Sequence, residues 1–333
     1  MKNLSLYAIL LLTTISCSQK KSKTKTLTLY SARKEILLKP LLELYTKKTG
    51  VNFKLKTGKA GPLLEMIKAE KSLSPADLFL TVDAGNLWQA KETGIFSSTE
   101  SEILNKNIPA HLKDPDNHWF GLSIRARTII HNDNVTAQEI KNYAHLGNPQ
   151  FKAKLCLRTS QKVYNQSLVS TIIKHHGPEK ALEIVKSWVS NLAIPPLSND
   201  TKVIESIKSK VCDLGIVNTY YLARLIDKDP QYPVKIFWPN QNSTGVHVNV
   251  SGAGIVKTSK QKKLALNFLE WLSSKEAQSL YAQVNHEYPV LKNTSLSSVT
   301  QKWGDFKQDK LNVSWAGKMQ KESVQLMNKA GYK

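Results

Sequence analysis

Between Leu27 and Val82 the chain alternates apolar strands with amphipathic helices, and this alternation restricts the fold more than any other feature. Leu27-Thr28-Leu29-Tyr30 reads as a strand, broken by the polar turn Ser31-Ala32-Arg33-Lys34-Glu35. Leu37, Leu38, Leu41, Leu42 and Tyr45 then recur at helical spacing up to Lys47-Lys48 and Gly50, a basic helix end followed by glycine. Val51 to Leu55 alternates as a second strand, Leu63 to Ala69 is a short helix, and Ala76 to Val82 is a third strand. Asp83 ends that strand and is expected to cap a helix that begins near Gly85. Strand, helix, strand, helix, strand implies parallel pairing with right-handed crossovers, hence an α/β fold.

A second unit of the same kind follows. Leu122 to Ile130 is a strand that carries Arg125-Ala126-Arg127, and Leu155 to Arg158 is another. The turn Thr159 to Lys162 leads into a helix opened by Tyr164-Asn165-Gln166-Ser167, and Ala181 to Val189 is a further helix. Asn199 or Asp200 can cap the helix Val203 to Lys208. Leu214-Gly215-Ile216-Val217 reads as a buried strand running into Asn218-Thr219-Tyr220-Tyr221. Ligands of open α/β sheets bind beyond the carboxyl ends of strands, where this tyrosine pair lies. A phenol with an unperturbed pKa near ~10 is a poor ligand unless a cation displaces its proton, which a hard trivalent ion can do. The pair is therefore either two half-buried aromatic caps or two oxygen ligands of a metal such as Fe(III). Residue type alone favours packing. Downstream, Val246 to Ile255 alternates, Leu264 to Leu272 is an amphipathic helix, Ser273-Ser274-Lys275-Glu276 reads as a capping box, and the tail reads as two short helices.

The N-terminus sets the compartment. Residues 1–16 combine Lys2, an apolar run from Leu4 to Leu12 and small residues, the pattern of a secretory signal peptide. The run is too short to span a bilayer. Cys17 follows Ile15-Ser16 as in a bacterial lipobox, although Thr14 stands where leucine is usual. Cys17 is thus the expected lipid-bearing residue, and residues 17–25 a polar tether. Beyond the leader, about 310 residues suggest two domains. An exported chain can form disulfides, so Cys156 and Cys212 are either bridged or two buried thiols. Lys+Arg of 47 against Asp+Glu of 26 gives a net charge of +21. The lysines are scattered, with no zinc finger, no RNP-like motif and no basic stripe between aromatics, so a solvated basic surface is expected and nucleic acid is not.

Several collinear stretches resemble the ferric-ion-binding family of periplasmic substrate-binding proteins, in its tyrosine-rich branch. They include Leu29 to Arg33, Ser74 to Asp77, Thr81 to Gly85, His118 to Ser123, Arg125 to Arg127, Cys156 to Ser160, Tyr164 to Ser167, Asn218 to Tyr221, Val248 to Gly254 and Glu287 to Val290. The resemblance runs from about residue 26 to the end. It implies a two-domain, type II-like periplasmic-binding-protein fold with crossing hinge strands, residues 26–127 and 250–300 forming one domain and 128–249 and 301–333 the other. It implies Fe(III) held by the phenolates of Tyr164, Tyr220 and Tyr221, with carbonate or bicarbonate on Arg125. This agrees with elementary chemistry, since Fe(III) prefers charged oxygen ligands and a guanidinium fork suits a planar anion. The N–H groups of Thr159 and Ser160 are expected to help hold that anion.

The sequence departs from the family at its first turn. Many relatives carry a His-Tyr pair there, where this chain has Lys34 and Glu35. Glu35 could supply an oxygen, but Lys34 would repel a cation, so no ligand is expected from this turn. The eight histidines show no metal-ligand spacing, and the adjacent His175-His176 is expected on a helix surface. The resemblance further implies a monomer, lipid-anchored in the periplasm or cell envelope, that delivers iron to an inner-membrane ABC permease. Three other classes fit the sequence less well. A small-anion binder anchored by Arg125 would not need three acidic phenols. An enzyme would need a nucleophile or metalloprotease motif, and neither G-x-S-x-G nor H-E-x-x-H occurs. A basic polymer binder rests on net charge alone, with strong salt dependence as its signature.

Overall fold

The structure, a computed structural model, describes residues 25–333 apart from Ala137 and Glu139. The expected signal peptide and Cys17 lie outside the described residues. Eight strands, β1 (Thr26–Ser31), β2 (Asn52–Thr57), β3 (Leu78–Val82), β4 (Phe120–His131), β5 (Leu155–Cys156), β6 (Leu214–Asn218), β7 (Lys235–Phe237) and β8 (Val248–Ile255), are joined in the order β2-β1-β3-β8-β4-β6-β5, with β7 also on β4. Around them, in chain order, lie α1 (Lys39–Thr49), α2 (Ala60–Glu70), α3 (Ala84–Glu92), α4 (Glu102–Asn107), α5 (Val163–Ser190), α6 (Asp200–Lys208), α7 (Thr219–Lys228), α8 (Lys262–Leu272), α9 (Lys275–Asn285), α10 (Ser298–Lys302), α11 (Trp315–Lys318) and α12 (Gln320–Lys329).

The first three strands pair in parallel, as their helical crossovers demand. The two long strands β4 and β8 run antiparallel to each other and join the halves of the molecule. From Phe120 to Ala126, β4 pairs with β8; from Arg127 to His131 it pairs with β6. The buried apolar residues change company at the same point. Ala126 belongs to a core with Leu29, Phe79, Val250 and Phe268, whereas Ile129 belongs to one with Leu155, Leu168, Trp188 and Ile216. Two lobes therefore share one continuous strand. Glycine is required where β8 passes β4, because a Cβ at Gly252 would lie 2.5 Å from the Phe120 carbonyl oxygen.

Several local expectations need correction. The strand expected over Leu155 to Arg158 is only two residues long, and Arg158 instead makes an isolated bridge to Leu197. The two helices expected between Leu168 and Val189 run on as α5, interrupted only at Gly177, whose φ of 78° precedes Pro178. Ser274, not Ser273, caps α9, and Glu276 turns outward to Lys48 and Trp271, so no capping box forms. The tail contains three short helices rather than two. Cys156 and Cys212 are bridged, their Cα atoms 5.9 Å apart. Among the described residues no helix is long and apolar enough to cross a membrane.

Candidate metal and anion site

Two tyrosines from the first turns of two helices meet one buried guanidinium, and a third lies against them. Tyr164 is the second residue of α5; Tyr220 and Tyr221 are the second and third of α7. Helix N-termini carry partial positive charge, which favours a phenolate there. The Arg125 guanidinium lies 5.5 Å from the Tyr164 ring centroid and 5.9 Å from that of Tyr220. The Tyr220 and Tyr221 rings are 4.3 Å apart. Arg158 and Lys162 flank Tyr164 at 5.5 and 4.9 Å. Tyr164 and Tyr220 are only 8% and 6% exposed.

Burial dominates the acidity of these phenols. It pushes Tyr164 up, against the pull of Arg125. It pushes Tyr220 well above the usual range, and the neighbouring Tyr164 and Tyr221 add to the effect because their negative charges would repel. Without a cation the site thus keeps these two phenols protonated. For Arg125, burial disfavours the charge, but the pull of Tyr164 and Tyr220, exerted once they are ionised, and of the Glu287 and Asp83 carboxylates outweighs it and raises the guanidinium above its ordinary value.

Two buried networks hold the parts in place. In the first lobe, Arg125 donates to the Val250 carbonyl (3.3 Å) and to Ser251 Oγ (2.7 Å). Arg33 donates to the same Ser251 Oγ (2.7 Å) and pairs with Glu287 at 3.0 Å. Ser123 Oγ also donates to Glu287. Arg125 Nε has no protein partner among the described residues, so this guanidinium has bonding capacity left. In the second lobe, Asp200 is paired with Arg127 (3.2 Å) and Arg158 (3.3 Å) and accepts from the Asn218 N–H (3.0 Å). Arg127 donates to Asn165 Oδ1, beside Tyr164, and to Asn218 Oδ1, two residues before Tyr220. One network thus fixes the turns that present all three tyrosines.

Asp83 ties the lobes together across the site. Its φ of 81° is unusual for a residue with a side chain. It caps α3 through the Gly85 N–H (2.8 Å), as expected, and also accepts from Ser167 on α5 (2.9 Å) and Asn249 on β8 (2.9 Å). Burial raises its carboxyl pKa despite these donors.

Other expected site residues fall elsewhere. The Thr159 N–H donates to the Leu197 carbonyl (2.8 Å) and the Ser160 N–H to that of Lys333 (3.0 Å). Both backbone donors are engaged, which corrects the expectation that they hold an anion. Glu35 is exposed on a 3-10 turn and lines a groove with Lys39, Glu43 and Lys47 that none of the three tyrosines lines. His175 pairs with Asp309 at 2.7 Å rather than facing solvent freely. A group that sequence spacing missed, Asp114, Asp116 and His118, brings its ligand atoms within 4.8 Å of one another. The Lys91 ammonium already lies 2.9 Å from Asp114 and 2.5 Å from Asp116, so a lysine supplies the cation there.

Over residues 74–309 the chain matches the family described as bacterial extracellular solute-binding protein, and it belongs to that family. Iron uptake protein A1 of Synechocystis sp. is 42% identical over 312 residues, covering 92% of this chain and 87% of that protein. A solved Trichodesmium FutA structure, in complex with iron and citrate ligands, is similar with a TM-score of 0.89 and 42% identity, over 92% of this chain and 100% of that one. The ferric binding protein from Campylobacter jejuni is similar with a TM-score of 0.85 and 32% identity, over 92% and 100%. The fold is that of the two-lobe periplasmic binding proteins.

Proposed function

We propose that this protein is the extracytoplasmic Fe(III)-binding component of an ABC importer, with Tyr164, Tyr220 and Tyr221 as metal ligands and Arg125 as the anchor of a carbonate or bicarbonate. The observation that carries this reading is a cluster of three phenols at two helix N-termini, two of them facing a buried arginine that has no direct carboxylate partner among the described residues. Three phenolates balance the three charges of the ion, and the guanidinium balances the anion. The expected carbonate differs from the citrate in the Trichodesmium structure; both anions carry carboxylate-type oxygens of the kind a guanidinium can pair with. With the two backbone donors engaged, Arg125 is the principal anion contact. Neither Glu35 nor any other residue of that turn is a ligand.

Residues 26–127 and 250–300 form one domain and residues 128–249 and 301–333 the other, with Arg127 at the crossing point reaching into the second. They hinge about 128–131 and 246–250, where β4 and β8 cross between the lobes. Closure brings Arg125 over tyrosines that belong to the other lobe. The family's members work with a membrane permease, which here receives the iron. Cys17 carries a lipid that holds a monomeric protein at the membrane surface.

Binding releases protons, because phenols that burial keeps protonated must ionise on the metal. Affinity therefore falls as pH falls, by up to about 10³-fold per pH unit if all three protons are released. Ultrafiltration of the iron-loaded protein against citrate, from about pH 8 to about pH 5, checks this. Retention that does not change with pH would overturn the phenolate assignment.

A further inference from the structure

One hydrogen bond spans the two lobes beside the phenols. It runs from a serine on α5 to the carboxylate that follows β3. Ser167 Oγ lies 2.9 and 3.0 Å from the two carboxylate oxygens of Asp83. Leu80 and Ala84, on either side of Asp83, belong to the core of the first lobe, whereas Leu168 belongs to that of the second. Ser167 follows Tyr164 by three positions, so the two share a face of α5. The Asp83 charge acts on Tyr164, Lys162 and Arg125, which places the carboxylate at the site. A motion that parts Tyr164 from Arg125 therefore also parts Ser167 from Asp83.

The contact is built with some strain on one side and an alternative on the other. Asp83 is 0% exposed and takes a φ of 81°, a conformation that suits glycine better than a residue with a side chain. Within its own turn the carboxylate accepts from the Gly85 N–H, and Asn249 Nδ2 donates to it from β8. Asn249 Oδ1 in turn accepts from the Ala84 N–H at 2.8 Å, so the turn is clamped to the strand that passes between the lobes. Each of these direct partners of the carboxylate is neutral. Burying a carboxylate on neutral donors alone is costly, and opening the lobes returns it to water. Ser167 has its own alternative, because its Oγ also lies 2.9 Å from the Val163 carbonyl, the usual back-bond of a helical serine. A hydroxyl has a single proton, so the bond to Asp83 can be exchanged for this one. The next serine along the helix differs: Ser170 Oγ lies 2.7 Å from Ser323 Oγ, beside Leu326 and Met327 in the core of its own lobe.

We propose that Asp83 and Ser167 form the latch of the closed state, a contact made when the lobes close on iron and broken when they open to release it. Both are positioning residues, acting through α5 and the Tyr164 that it carries. The proposal rests on the ferric reading of the same site and adds to it the pair that holds the lobes shut.

Titration of the intact chain with ferric citrate tests this, followed by the phenolate-to-iron band and by the radius of gyration from small-angle X-ray scattering. Ser167→Ala removes a hydrogen bond to a carboxylate in the closed state only, and it should weaken iron binding by about tenfold or more. Its band at saturation should keep the parent's position, since no ligand is lost. Ser170→Ala deletes the same atom one turn along and should stay within about twofold of the parent. The parent should contract on loading, and Ser167→Ala only at higher ferric citrate. Equal affinity in the parent and Ser167→Ala would overturn the latch and leave the ferric reading standing. Equal weakening by Ser170→Ala, or a band in the parent without contraction, would do the same. A parent that binds no iron would overturn the ferric reading, and the latch with it.

Discussion

The two lobes carry matching clusters of two arginines and one carboxylate, and they spend the carboxylate differently. In the second lobe Asp200 pairs with both Arg127 and Arg158. In the first, Glu287 pairs directly with Arg33 alone, and Arg125 is left with a hydroxyl and a carbonyl. Arg125 and Arg127 are two positions apart on the same strand, so sequence context hardly separates them. The difference is what each faces: Arg127 holds the turns that carry the tyrosines, and Arg125 retains charge for a ligand. An arginine paired directly with a carboxylate is a structural part, and one whose carboxylates act only through space is a binding part.

Substitution should separate the two sharply. Arg127→Met leaves Asp200 short of one partner and Asn165 and Asn218 without their donor, and is expected to cost about 3–5 kcal/mol of folding stability. Arg125→Met removes a charge that repels Arg33 but also attracts Glu287 and Asp83, and it breaks hydrogen bonds only to neutral acceptors, so it should cost about 1–2 kcal/mol, clearly less than Arg127→Met, while iron retention is lost. Urea denaturation of both variants checks the pair. Equal destabilisation would erase the distinction drawn here.

A smaller effect distinguishes the clusters by pH. Burial alone would raise the Glu287 carboxyl, but Arg33 and Arg125 outweigh it and hold it below its ordinary value of 4.5. A carboxylate depressed in the folded state adds stability above its unfolded pKa and loses it as pH falls through the folded one. Stability should therefore decline on acidification below about pH 4.5 with a slope of at most about 1.4 kcal/mol per pH unit from this group. Glu287→Gln should remove that component. Denaturant midpoints measured across this range give the answer. Smallest of all, Lys48→Ala breaks the exposed pair with Glu276 and should change stability by no more than about 0.5 kcal/mol. A larger loss would show that exposed pairs matter here as much as buried ones.

Local periodicity made most of the framework legible. The strand-helix alternation of the first lobe, the buried strand before the tyrosine pair and the Asp83 cap all carry signals within a few residues. The tyrosines were readable as candidates by residue type and position, and the family resemblance raised them above aromatic packing. Partners distant in sequence were not readable. Arg33 and Glu287 lie 254 positions apart, and Arg127 and Asp200 lie 73 apart. Spacing alone makes Asn199 and Asp200 equal candidates for the cap; Asn199 caps α6, and Asp200 pairs with two arginines. The same distance explains the error at Thr159 and Ser160. The turn was correctly placed, but the carbonyls that take its N–H groups come from Leu197 and Lys333. A capping pattern at Ser273 failed because Ser273 closes the preceding helix, donating to the Glu270 carbonyl at 2.7 Å.

The most direct measurement is a visible absorption spectrum of the purified protein titrated with ferric citrate, beside the Tyr220→Phe and Tyr221→Phe variants. The account predicts a phenolate-to-iron charge-transfer band in the parent protein that weakens in both variants. No band, with iron neither retained nor stabilising the fold, would contradict it and leave Arg125 as the anchor of an anion alone.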